Sequence, residues 1–454
     1  MSIYREYDIR GVVGEALSYP LAEEIGRAFG TYVRRRGGTR IVLGRDVRLS
    51  SEPLRDALVE GLVSAGTEVI DVGECTTPIL YFSLFNFPVD GGVMITGSHN
   101  PAEFNGFKLC LGKGTLFGEE IQKIKRMVED KDYDSGSGRL SLGAIVPEYV
   151  RHLAKNAIAP SPAGRDPLKV VLDCGNGAAA IAAPKLFREM GIDLTELYCT
   201  PDGHFPNHHP DPTVVENLKD LIAAVREKKA DVGIAFDGDA DRIGVVDERG
   251  GVIFGDRLMI LFAREILKER PGATFISEVK ASQVLYDEIE RLGGKPIMWK
   301  TGHSLIKAKM RETGALLAGE MSGHMFFADR YFGYDDALYA AVRLIEILRA
   351  TDRPLSALLS DLPKTYATPE IRVDCPDDQK FDLVDRCKGI LSEKHKIIDV
   401  DGVRVLFDDG WGLVRASNTQ PALVLRFEAK SEGKLAEIQT YVEGILEREK
   451  AGTS

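Results

Sequence analysis

One pattern, written three times along the chain, limits what it can fold into. A short β-rich run leads into a polar loop, an amphipathic helix, a glycine and a second β-rich run. The first copy joins Arg40-Ile-Val-Leu-Gly-Arg-Asp to Glu68-Val-Ile-Asp-Val-Gly through a helix over residues 52–65 and Gly66. The second joins Lys169-Val-Val-Leu-Asp to Leu194-Thr-Glu-Leu-Tyr through residues 183–190 and Gly191. The third joins Ala273-Thr-Phe-Ile-Ser-Glu-Val to Pro296-Ile-Met-Trp through residues 282–292, Gly293 and Gly294. Strand, helix and strand in this order predict a βαβ unit with a right-handed crossover. The glycine after each helix suits a left-handed C-cap. The copies start more than 100 residues apart, too far for a solenoid, so they predict three similar α/β domains in tandem.

The last ninety or so residues differ. Val403-Arg-Val-Leu-Phe, Trp411-Gly-Leu-Val-Arg and Ala422-Leu-Val-Leu-Arg-Phe are β runs, with Asp408-Asp409-Gly410 as a hairpin turn. A charged helix over residues 431–450 closes the chain. This predicts a smaller α+β domain. The expected domains are 1–143, 144–248, 249–363 and 364–454, with linkers near Gly143, residues 247–251 and residues 361–369. A length of 454 residues, 44% hydrophobic and 28% charged, is ample for several buried cores.

The net charge of −11 argues against a general nucleic-acid binder and leaves room for a local phosphate pocket. The most apolar stretch, residues 258–267, is interrupted by Arg264 and Glu265 and is too short to span a membrane. Arg5, Glu6, Asp8 and Arg10 are unlike a signal peptide. The six cysteines show no CxxC spacing and read as free thiols, so the expected location is the cytoplasm. Nothing suggests a long coiled coil, and a monomer or weak homo-oligomer is expected.

Four segments carry the chemistry. Residues 94–101 end an apolar run in a loop that presents Ser98 between Gly97 and His99. Such residues make an ordinary turn, and they also make a phospho-accepting serine with an imidazole beside it. The loop lacks the GxSxG form of a hydrolase elbow. In residues 235–242, Asp237, Asp239 and Asp241 alternate just after a β run. Carboxylates this close repel, and a hard divalent ion, best Mg²⁺, relieves them. An EF-hand is excluded because its sixth position would be Arg242 instead of glycine and the flanks are β runs. In residues 319–324, Glu320, Ser322 and His324 alternate and, if extended, point to one side, where they suit sugar hydroxyls, although a satisfied polar loop is the commoner form of such a stretch. In residues 415–421, Arg415, Ser417, Asn418 and Thr419 offer donors without an acid, suited to a phosphate or to a plain hairpin loop.

Two other segments mimic nucleotide sites. Gly175-Asn-Gly-Ala-Ala-Ala180, with Glu196 about twenty residues on, resembles a dinucleotide fingerprint but is more simply a tight βα turn. A P-loop fails because Gly112-Lys113 is followed by Gly114.

In this order the four segments resemble the α-D-phosphohexomutase superfamily, along almost the whole chain. Thr96-Gly-Ser-His-Asn-Pro101 and Gly319-Glu-Met-Ser-Gly-His324 are similar to its bacterial phosphomannomutase/phosphoglucomutase group. Tyr7-Asp-Ile-Arg-Gly11, Asn105-Gly-Phe-Lys108 and Lys300-Thr-Gly-His-Ser304 strengthen the likeness. Ala240 stands where the family usually carries glycine, which implies a slightly altered metal loop. The resemblance implies four domains around a central cleft and a phosphoserine at Ser98. It implies transfer to a mannose or glucose phosphate through a hexose 1,6-bisphosphate, with Mg²⁺ on Ser98, Asp237, Asp239 and Asp241. It places Arg10, Lys108 and Arg242 near the moving phosphate, with Lys108, His99 and His324 as candidate acid–base groups. Glu320 and Ser322 would read the sugar, with His303 and Lys280 as further contacts, and Arg415, Ser417, Asn418 and Thr419 would hold the distal phosphate. Rival readings are a phosphoglucosamine mutase, against which Met321 stands where glutamine is typical, a dinucleotide-dependent oxidoreductase and a non-catalytic sugar-phosphate binder.

Overall fold

A computed structural model of the chain describes residues 3–157, 167–418 and 420–451. The three repeats fold as parallel strand–helix–strand units. Strand Arg40–Arg45 pairs with Glu68–Glu74 across helix Ser51–Ser64. Strand Lys169–Asp173 pairs with Asp193–Leu197 across helix Ala183–Glu189. Strand Thr274–Glu278 pairs with Lys295–Trp299 across helix Gln283–Arg291. Gly66, Gly191 and Gly293 follow those helices with φ of +86°, +70° and +79°. A Cβ is strained in that left-handed region, so glycine turns the chain there most cheaply.

Each unit then adds one more strand parallel to its first and doubles back antiparallel. Gly91–Ile95 returns as Phe104–Leu111, Val232–Phe236 as Ile243–Asp247, and Leu317–Gly319 as Met325–Phe327. The reversal puts a loop at the same corner of each sheet, at the carboxyl end of a parallel strand, where open α/β sheets present their ligand sites. Those three loops carry Ser98, the three aspartates and residues 320–324.

Among the described residues the sheets have seven, five, four and six strands. One apolar core runs through the first three units, joining Ile79 and Phe82 to Leu186, Phe187, Leu338 and Ile345. A second core, including Phe29 and Leu58, covers the other face of the first sheet. The fourth sheet is antiparallel and packs on helices Lys380–Ser392 and Glu432–Ala451. It docks on the third unit through Arg404, which is fully buried. Arg404 lies 3.7 Å from the Trp411 ring centroid and donates to the Val279 and Ala281 carbonyls at 2.8 Å.

The segment 247–251 is a turn and not the expected linker. Asp247 N donates to Gly251 O, and strand Val252–Ile253 pairs back onto Ile243–Asp247. The Asp247 carboxylate also accepts from the Arg249 and Gly251 amides, which closes the hairpin locally. Among the described residues no helix is long and apolar enough to cross a membrane.

Candidate active site

Ser98 sits at the tip of the first loop with φ +48°. A side-chain-bearing residue is strained there by about 1–2 kcal/mol, so the surroundings must impose it. They do so through Arg48, whose buried guanidinium donates to the carbonyls of Ser98 at 2.8 Å, Asn100 at 2.6 Å, Pro101 at 2.6 Å and Phe104 at 2.9 Å. Asp46 lies 3.2 Å from Arg48 Nε and accepts the Gly97 amide. A Cβ on Gly97 would fall 2.5 Å from Arg48 Cζ, so this clamp requires glycine. Arg10 donates to Asn100 Oδ1 at 2.7 Å, on the same loop.

The acidic loop meets it face to face. Ser98 Oγ donates to Asp237 Oδ2 at 3.0 Å and lies 3.1 Å from His99 Nδ1. A Cβ on Gly238 would sit 2.3 Å from the Ser98 carbonyl oxygen, so the two backbones touch. Ala240 holds the left-handed conformation a glycine would, with φ +61° and its methyl buried. The three carboxylates converge, with ligand atoms within 4.8 Å of one another. Helix Thr77–Asn86 points its N-terminus at this loop. Thr77 N and Oγ1 donate to Asp239 O and Oδ2, which puts the positive end of the helix by the acid.

Lys108, on the strand leaving the serine loop, bridges Asp239 Oδ2 at 2.8 Å and Asp241 Oδ2 at 2.5 Å. Burial opposes its charge, but the two carboxylates win and raise its pKa, so it stays an ammonium. Burial, Asp241 and Asp239 push Asp237 well above the carboxylate range. Asp239 Oδ1 and Asp241 Oδ1 are buried without a hydrogen-bond partner. Paired lone pairs left over, and a carboxyl driven up by its own neighbours, are what a site short of positive charge looks like. The donor set is all oxygen, and it fits a hard divalent cation.

Arg242 Nε donates to His324 Nε2 at 3.0 Å, which leaves His324 Nδ1 facing Asp335 at 3.3 Å and Asp241 at 3.5 Å. Burial works against the imidazolium, but Asp241 and Asp335 raise its pKa. His99 goes the other way, since burial and then Arg242 and Arg10 hold it neutral. His303 stacks on His324 with ring centroids 5.8 Å apart.

Residues 320–324 are a tight turn, the polar-loop alternative and not the extended run. Gly323 N donates to Glu320 O, and Glu320 N to His324 O. The one-sided alternation therefore fails, although the turn still brings Glu320 Oε2 within 3.9 Å of His324 Nε2. Glu320 Oε1 accepts the Gly302 amide at 2.7 Å, and Ser322 is half-buried beside it. Lys280 pairs with Glu370 at 3.0 Å and Glu278 at 3.4 Å.

The fourth loop has an acid that its sequence lacks. Asp401 Oδ2 accepts Arg415 Nε at 2.9 Å and the Thr301 amide at 3.0 Å. Ser417 Oγ accepts the Gln420 amide, and Thr419 lies outside the described residues. Asn418 Nδ2 donates to Tyr7 Oη at 2.8 Å, and Tyr7 Oη donates to Thr301 O at 2.8 Å. One tyrosine thus joins the first, third and fourth units. The Gly175–Ala180 segment is the tight βα turn, with φ of +50° at Gly175 and +57° at Asn176, and Glu196 pairs with Arg188.

Sequence reading missed Arg48, Asp46, Thr77, Asp335 and Asp401. A signal existed for the first two, because Arg45-Asp46-Val47-Arg48 sets charges directly after a buried strand. Asp401 gave none, since only the strand pairing brings it to Arg415.

Four family descriptions match consecutive stretches of the chain. They are phosphoglucomutase/phosphomannomutase alpha/beta/alpha domain I over residues 1–135, domain II over 147–251, domain III over 254–366 and the C-terminal domain over 370–445. A phosphomannomutase/phosphoglucomutase of Pseudomonas aeruginosa is 48% identical over 446 residues, 98% of this chain and 95% of that one. A phosphoglucomutase of Neisseria meningitidis is 45% identical over 450 residues, covering 98% and 96%. The crystal structure of a phosphoglucomutase/phosphomannomutase family protein from Burkholderia thailandensis superposes with a TM-score of 0.93 at 44% identity, covering 99% and 98%.

Proposed function

The chain belongs to the phosphoglucomutase/phosphomannomutase family and is a phosphohexomutase, an isomerase of hexose phosphates, and on that premise we propose that Ser98 carries the phosphoryl group between the 1- and 6-positions of mannose and glucose. The observation that supports this reading best is the contact of the serine loop with the acidic loop, Ser98 Oγ on Asp237 and Lys108 across Asp239 and Asp241.

In the proposed reaction Ser98 starts as a phosphoserine. A sugar hydroxyl attacks phosphorus, the new O–P bond forms, the hydroxyl proton leaves to a base, the Ser98 Oγ–P bond breaks, and Ser98 Oγ takes up a proton to become the free hydroxyl. The product is a hexose 1,6-bisphosphate, which turns over and returns its other phosphate to Ser98. Asp237, Asp239 and Asp241, with a phosphoserine oxygen, would hold the divalent ion, best Mg²⁺. When bound, it supplies positive charge against phosphate oxygens. Transfer of this kind is mostly positioning and charge stabilisation. Lys108 serves as fixed charge, because two carboxylates hold its proton. Arg10 and Arg242 add charge on either side. His99 is the neutral imidazole nearest Ser98 and can accept a proton, and His324 is oriented by Arg242 and Asp335. Glu320, Ser322, His303 and Lys280 contact the sugar, and Arg415, Ser417, Asn418 and Thr419 hold the distal phosphate. All these groups come from one chain, so a monomer or weak homo-oligomer suffices, and six free thiols suit the cytoplasm.

The test is a parallel assay of wild type and Ser98→Ala. The substrates are mannose 1-phosphate, glucose 1-phosphate and glucosamine 1-phosphate, with Mg²⁺ and a trace of hexose 1,6-bisphosphate. Turnover of the first two, lost in the variant, is expected. Unchanged turnover in Ser98→Ala refutes the carrier, and turnover of glucosamine 1-phosphate alone refutes the sugar assignment.

A further inference from the structure

Six cysteines are free; five of them are buried, and Cys199 is partly exposed. Its Sγ lies 3.2 Å from Sγ of Cys174, although the two are 25 residues apart in sequence. The parallel pairing of Lys169–Asp173 with Asp193–Leu197 causes this, since both cysteines leave the same end of adjacent strands. Cys174 N donates to Leu197 O, which fixes the two chain exits side by side.

Each cysteine also roots a segment that leans on the serine and acidic loops. From Cys174 the chain enters the turn whose Ala178 amide donates to Gly238 O at 2.9 Å. A Cβ on Gly177 would fall 2.8 Å from that same oxygen, and Gly238 in turn abuts Ser98 O. From Cys199 the chain enters residues 200–212. There a Cβ on Gly203 would fall 2.6 Å from Val47 O, and Phe205 lies under Arg48, the clamp of the serine loop. Asn176 ties the two segments, donating to Thr200 O at 2.8 Å and accepting the Asp202 amide at 2.9 Å.

We infer that Cys174 and Cys199 are an oxidisable pair, and that their disulfide slows the enzyme by displacing the two segments that support the Ser98 loop. A peroxide is the oxidant. Cys199 Sγ attacks a peroxide oxygen, the O–O bond breaks, and a sulfenic acid forms with loss of water. Cys174 Sγ then attacks that sulfur, the S–O bond breaks, and a second water leaves with the Cys174 proton. Two thiols are oxidised and one hydrogen peroxide is reduced to two waters. Closing the sulfurs to a covalent bond moves them together by about 1 Å, at the root of a close-packed contact. Burial, and then Cys199 itself, push the Cys174 thiol up, which suits it to the slower, resolving step.

The full chain is treated with hydrogen peroxide, then thiols are counted under denaturing conditions and peptides are mapped. The expected result is a loss of two thiols, a Cys174–Cys199 crosslink, and mutase turnover lowered about fivefold or more and restored by dithiothreitol. Cys199→Ser, and Cys199→Ala as a second variant, should keep basal turnover and resist the treatment. Absence of the crosslink, a crosslink with turnover unchanged, or an equal loss in both variants overturns the inference. The activity readout rests on the proposed mutase reaction, whereas the crosslink does not. Untreated enzyme without turnover on any of the three sugars would therefore tell against that reaction and leave the crosslink to be judged by mass.

Discussion

Lys108→Met tests the electrostatics of the site. Methionine keeps the length of the stem and deletes the charge. At 2.8 and 2.5 Å, and an effective dielectric of about 20, each lysine–carboxylate contact is worth about 6 kcal/mol before desolvation. Returning the ammonium to water recovers much of that sum. The net cost of stranding the buried partners is therefore about 3–5 kcal/mol. The contacts run from the first unit to the second, so the loss appears as weaker docking of the two. In the presence of a chelator the melting temperature is expected to fall by about 3–5 °C. A divalent ion then supplies the charge the lysine gave, so saturating Mg²⁺ should recover more than half of the loss. Mg²⁺ should also bind the variant more tightly than wild type, because no ammonium competes for Asp239 and Asp241. Differential scanning fluorimetry with and without Mg²⁺, and calorimetric titration of Mg²⁺, read both effects. A chelated variant melting within about 2 °C of wild type, or binding Mg²⁺ no more tightly, would refute the reasoning.

Two further outcomes follow from named contacts. Tyr7→Phe removes the hydroxyl that bonds Thr301 O and Asn418, about 1 kcal/mol for each bond, so KM should rise several-fold while Ser98 still becomes phosphorylated. Steady-state kinetics and intact mass check this, and an unchanged KM would speak against the tyrosine as a link between units. The Lys280 ammonium pulls Glu370 from 4.5 down to about 2. Its folded pKa is depressed, so its stabilisation is present above about pH 4.5 and is lost as pH falls toward 2. Buried Trp411 fluorescence should report loosening of the fourth unit across that window in wild type. Glu370→Gln should show that part of the change already at neutral pH, and identical acid profiles would exclude the pair from docking.

Much of the fold was legible in the sequence because local chemistry determined it. Short β-rich runs, amphipathic helices and glycines at the left-handed positions write the three βαβ units directly, and Gly66, Gly191 and Gly293 fall where a Cβ would be strained. Ser98 and the three aspartates were legible for a similar reason, since a phospho-accepting hydroxyl and clustered carboxylates advertise their chemistry within a few residues. What tertiary structure alone decided is which groups meet. The antiparallel return in each unit sets Ser98, Asp237–Asp241 and Glu320–His324 on equivalent corners, and only packing of one unit on the next turns those corners together. Arg48 and the Cys174–Cys199 pair act through partners 50 and 25 residues away, and Asp335 and Asp401 through partners that a chain reversal brings back from 11 and 14 residues away, so no local pattern reveals them. The hairpin at 247–251 reads as a linker, and the turn at 320–324 stays one of two alternatives, for the converse reason. Alternation and polar composition describe what a segment could expose, whereas backbone hydrogen bonds to neighbouring strands decide what shape it takes.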